Sequence, residues 1–74
     1  MNITKAYERR ENLSDGELER LLAALNGEVE KYRSHIRSYP PDRMERFGMP
    51  FLAGLEARVS EISQLISLRS KQQG

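Results

Sequence analysis

Pro40 and Pro41 stand side by side near the middle of this chain, and no other feature limits its folding so tightly. A proline lacks an amide hydrogen, and its ring drives the preceding residue out of the helical region. Tyr39 and Pro40 both precede a proline, so a helix arriving from the N-terminal side has to end there. The surrounding stretch, SYPPDRMERFGMPF from Ser38 to Phe51, holds all three prolines of the chain and forms a corner. Proline suits the first turn of a helix, and Asp42 and Glu45 suit its positive end, so a helical turn is expected to restart at Pro41 with Met44 and Phe47 facing inward. Gly48 and Pro50 then interrupt the pattern, which predicts a break before the next long helix.

On the N-terminal side of the corner, LSDGEL has the form of a capping box. Ser14 caps the helix, Glu17 reaches back to the Ser14 amide, and Leu13 with Leu18 fits a hydrophobic staple. From there Leu18, Leu22, Leu25, Val29, Tyr32, Ile36 and Tyr39 recur at spacings of four and three, the signature of one buried helical seam. Gly27 opposes the helix by only about 1 kcal/mol relative to alanine. On the C-terminal side Leu52, Leu55, Val59, Ile62 and Ile66 repeat the same spacing, and the pattern fades at Arg69. These signals predict one all-α domain, an antiparallel two-helix hairpin. Helix one covers about 15–38, the corner 39–50 and helix two about 51–69, with SKQQG fraying beyond it. Ile3, Ala6 and Tyr7 allow a short N-terminal helix, with Thr4 as its cap.

A chain of 74 residues buries only about 60% of the surface it exposes when unfolded. With 38% apolar residues and 31% charged ones, its core is thin. A partner is one way to thicken it. There is no cysteine, hence no disulfide framework and no thiolate metal site, which favours an intracellular home. The first residues, MNITKAYERREN, carry no apolar stretch of the signal-peptide type, and no run approaches a membrane span. A cytoplasmic location is therefore expected. Twelve basic and eleven acidic side chains are interspersed along the chain, unlike the one-sided basic footprint of nucleic-acid modules. Arg9 with Arg10 and Arg43 with Arg46 form only small clusters.

Reactive chemistry has little to rest on. His35 is the single histidine, with no second ligand at helical spacing, so neither a zinc site nor a general base is indicated. The pairs Glu17 with Glu28 and Glu56 with Glu61 fall among basic residues on polar faces. Ser60, Ser63, Ser67 and Ser70 form a stripe lacking an activating base and an oxyanion hole, so it reads as packing or solvent surface. FGMPFLAGL has no phosphate-cradle spacing. No catalytic residue, metal or cofactor is expected. Met44, Phe47, Met49 and Phe51 read either as the cap on the end of the hairpin or as an anchor for a partner, since aromatic and methionine side chains are enriched at interfaces. Two helices joined by one seam also leave their flanks uncovered. Leu21, Leu65 and Leu68, with Ile3 and Tyr7, then need cover from a second copy or another protein.

LLAAL (Leu21 to Leu25), PDRM (Pro41 to Met44), Leu55–Glu56 and SQL (Ser63 to Leu65) follow one another in a layout that resembles the small co-chaperones of type III secretion needle subunits, the YscE, PscE and AscE group. The resemblance covers about 21–65. It implies a cytoplasmic virulence-associated protein that pairs with a tetratricopeptide-like chaperone to keep a needle subunit soluble and unpolymerised before export. It also implies that the flank can make a homodimer when the chain is alone. The expected interface comprises Leu21, Leu25, Phe51, Leu65 and Leu68. Two other functions fit the same residues. One is a small regulator binding nucleic acid or a nucleoid protein through its arginines; the other is a phage- or host-encoded inhibitor of a larger protein.

Overall fold

The computed structural model describes residues 2–73, with the side chain of Gln73 left out. It is all-α, three helices with a long C-terminal one, and no strand occurs among the described residues. Helix α1 spans Ile3–Glu8 and a 3-10 turn covers Arg10–Asn12. Helix α2 spans Asp15–Ile36. A single α-helical turn, Pro41–Arg43, is followed by a π turn, Met44–Gly48, and by helix α3, Met49–Gln73.

The start of α2 has the expected chemistry. The Glu17 amide donates to the Ser14 hydroxyl at 3.2 Å, and the Ser14 amide donates to the Glu17 carboxylate at 3.1 Å. Two of the amides that a helix start leaves orphaned are satisfied at once. At its other end α2 stops at Ile36, two residues before the predicted Ser38, where Arg37 and Ser38 form a turn into the proline pair. The cap of α1 is Asn2 rather than Thr4: the Asn2 side chain accepts from the Lys5 amide at 3.1 Å.

The corner differs from the predicted break in an instructive way. The chain stays helical from 41 to 73, and a π turn replaces the interruption. Met49 donates its amide to the Met44 carbonyl, five residues back, so the turn before Pro50 is one residue wider than an α turn. That width solves a problem of register. Met44, Gly48 and Leu52 are spaced four and four, which overshoots the α period of 3.6. The wider turn absorbs the excess and keeps all three on the inner face. Gly48 is buried, and a β-carbon there would lie 2.8 Å from the Met44 sulfur and 3.4 Å from the Tyr39 ring. Phe47 is consequently turned out, 64% exposed, which corrects the inward placement expected of it.

Two clusters hold α2 against α3. Leu18, Leu21 and Leu25 pack with Ile62, all fully buried, and Val29 and Ile36 pack with Leu52. Ion pairs mark how the helices lie together: Arg69 meets Asp15 at 3.3 Å at one end, and Arg33 meets Glu56 at 3.1 Å nearer the corner. Helix α3 continues past Ser70, where the sequence predicted fraying, to Gln73, and the final residue of that SKQQG stretch lies outside the described residues. Arg69, where the apolar pattern fades, reaches back to accept a structural role. It donates to the Glu11 carbonyl at 2.9 Å and to the Leu13 carbonyl, tying the segment that precedes α2 to the last turns of α3.

Candidate functional site

Helix α1 occupies a flank that the sequence left open. Ile3, Ala6, Tyr7 and Leu13 pack against the Leu18–Leu21–Leu25–Ile62 cluster, with Leu65 half-buried beside them. The Tyr7 hydroxyl donates to Glu61, the Arg10 guanidinium lies 3.5 Å from the same carboxylate, and both Arg10 and Arg58 stack on the Tyr7 ring, at 4.4 and 4.9 Å. The bond to Glu61, then burial, raises the Tyr7 hydroxyl above its usual pKa and keeps it a donor. Ile3 and Tyr7 thus find their cover inside the chain.

This arrangement corrects the predicted interface. Leu21 and Leu25 are 0% exposed and belong to the core, because α1 closes over the side they face. Leu65 is half-buried at the edge of α1. Only Phe51, 58% exposed, and Leu68, 56% exposed, present their side chains outward. They lie at opposite ends of the stretch that α1 covers.

Beyond α1, toward the corner, the flank is open and aromatic. The Phe51 ring lies 4.7 Å from that of Tyr32, Tyr32 lies 6.3 Å from His35, and His35 lies 5.6 Å from Tyr39. The Arg43 guanidinium covers Tyr39 at 4.4 Å. Burial, and after it the neighbouring Tyr39, raises the pKa of the Tyr32 hydroxyl. Two shallow hollows flank the rings. One is lined by Pro50, Phe51, Gly54, Leu55 and Arg58, the other by Glu28, Lys31, Tyr32 and His35. Phe47 is exposed one turn before Phe51, and Met49 is also exposed. Of the two readings of the corner cluster, only Met44 serves as inner packing; Phe47, Met49 and Phe51 face outward.

Several of the remaining polar candidates have structural roles. Glu17 completes the capping box of Ser14, its carboxylate held below the ordinary glutamate range by bonds to the Ser14 amide and then its hydroxyl. Glu56 pairs with Arg33, and Arg46 with Asp42 at 3.4 Å. The serine stripe lies along an exposed face of α3. Among the described residues no group of three or more His, Cys, Asp or Glu side chains is placed to hold a metal ion. No helix among them is long and apolar enough to cross a membrane. The π turn is the feature that sequence reasoning missed, and the four-and-four spacing of Met44, Gly48 and Leu52 is the signal that could have found it. No protein-family model matches this chain, and neither does any curated protein or solved structure.

Proposed function

We propose that the chain is a non-enzymatic protein-binding module that acts by stoichiometric association in the cytoplasm. Its working unit in this reading is an antiparallel hairpin of α2 and α3 braced by α1, and its docking side is the open flank at the corner. The observation that carries the proposal is the outward placement of Phe47 and of Phe51, whose ring lies beside the half-buried Tyr32. Large exposed aromatic side chains next to a rigid seam have the character of interface anchors. Several polar groups that the sequence offered as reactive support the same reading: Glu17 is engaged in the capping box, Glu56 and Glu61 in ion pairs with Arg33 and Arg10, and His35 in ring contacts with Tyr32 and Tyr39.

The finer proposal, which rests on the resemblance in 21–65, is a co-chaperone that joins a tetratricopeptide-like chaperone in holding a type III secretion needle subunit unpolymerised. Phe51 and Leu68 are its interface residues here, and Leu21 and Leu25 act only through the fold. Affinity capture of the tagged chain from its native cells, at low and high salt, tests both levels. A helical-repeat chaperone with a small needle-like subunit, retained at high salt, is the expected recovery. Nucleic acid that washes off with salt would replace the proposal with a phosphate-binding one, because phosphate contacts weaken steeply as salt rises.

A further inference from the structure

We propose that the open half of the α1 flank is a seat for one short acidic amphipathic helix of a partner protein. This rests on the protein-binding reading above and adds the chemistry of the ligand. Three observations converge on it. The first is continuity: α1, itself a helix, already sits on this flank, and its Tyr7 meets Arg58 at the boundary of the open half. The second is shape. From Phe47 to Arg58 the uncovered flank measures about 16 Å at 1.5 Å per residue, the length of three helical turns, and the hollow of Pro50, Phe51, Gly54, Leu55 and Arg58 lies within it. Gly54 faces open space there, since a β-carbon on it would meet nothing within 4 Å.

The third is charge. Residues 31–46 carry Lys31, Arg33, Arg37, Arg43 and Arg46 against Asp42 and Glu45, whereas residues 1–30 carry seven acidic side chains against four basic ones. Arg33 pairs with Glu30 and Glu56, and Arg46 with Asp42, so Lys31, Arg37 and Arg43 are the cations of this stretch that make no ion pair among the described residues. Around the seat itself Lys31 and Arg58 make no ion pair among the described residues, and Glu28 is the single carboxylate lining the two hollows. Apolar side chains at three-and-four spacing would meet Phe47, Phe51 and Leu55, and carboxylates on the flanks of the same helix would meet Lys31 and Arg58. This is the helix-in-groove mode, with charge steering the encounter and fixing orientation.

The test uses the full chain, isotopically labelled for amide NMR, and a pair of designed helical peptides of twelve residues. Both carry leucine at three-and-four spacing; one has glutamate at its other positions and the other lysine. The expected result is binding of the acidic peptide at least ten-fold tighter than its basic counterpart, with shifts centred on Tyr32, Phe51, Leu55 and Arg58. Phe51→Ala, at an exposed position, should weaken it at least ten-fold without changing helicity, and Lys31→Glu should narrow the preference between the peptides. Equal binding of both peptides, binding of neither, or shifts centred elsewhere would overturn the proposal. So would stronger use of the same residues by an oligothymidylate or by vesicles containing anionic lipid. A failed peptide titration beside a salt-resistant protein partner in the capture experiment overturns the acidic-helix seat and leaves the protein-binding reading standing.

Discussion

Single glycines in this chain have opposite roles, and substitution separates them. Gly27 and Gly54 face open space within helices, so alanine at either should stabilise the fold by up to about 1 kcal/mol through helix propensity. Gly48 lies against Met44 and Tyr39, and alanine there has to push the methionine sulfur aside. Chemical denaturation should give higher midpoints for Gly27→Ala and Gly54→Ala and a lower one for Gly48→Ala; a stabilised Gly48→Ala would contradict the close approach at the π turn. The capping box gives a pH dependence. Because folding lowers the Glu17 pKa, its contribution is fully present above the unfolded value, near 4.3, and is lost as pH falls through the lower folded value. Glu17→Gln should therefore flatten the loss of stability in acid, as followed by thermal melts from pH 7 to 3.

At the scale of elements, the long helix was legible and the way it negotiates Pro50 was not. Period counting assumes an α-helix, and on that assumption Met44 and Phe47 share a face. The wider turn pairs Met44 with Gly48 instead, and only contact with Ile36 and Tyr39 decides between them. The site was misread for a related reason. Seam spacing identifies Leu21 and Leu25 as apolar but not what covers them, and the cover is a six-residue helix whose grip depends on Tyr7, Arg10 and Arg69 reaching distant partners. Leu68, by contrast, was readable as lying on an uncovered flank at the end of the seam, whereas for Phe51 the spacing left both an end cap and an exposed anchor open. Two predictions belong here. Arg69→Ala should speed amide exchange in 10–15 while leaving the centre of α2 protected, since it removes the tie to the Glu11 and Leu13 carbonyls. The Tyr7 pKa is raised on folding, so the stability it contributes is full below the unfolded value, about 10, and is lost as pH rises through the folded one. Exchange in α1 should rise selectively at alkaline pH in the wild type and less so in Tyr7→Phe.

For the whole molecule, the thin core predicted from composition has a clear structural form. Four fully buried side chains, Leu18, Leu21, Leu25 and Ile62, come from two helices and hold one end. Leu25→Ala should cost about 2–5 kcal/mol, a large share of the 5–15 kcal/mol that natural domains possess. A charged residue at Leu21 would disrupt the core itself, and loss of binding in such a variant would report unfolding. Function has to be tested where the fold does not depend on the side chain, and Phe47 and Phe51 meet that condition. The most direct measurement compares capture by the wild type with capture by a folded Phe47→Ser, Phe51→Ser variant at high salt, with helicity and melting temperature measured on both. A partner protein held by the wild type and lost from the equally stable variant is the predicted result. The same partner retained by both, or none held by either, would contradict a docking role for the corner flank.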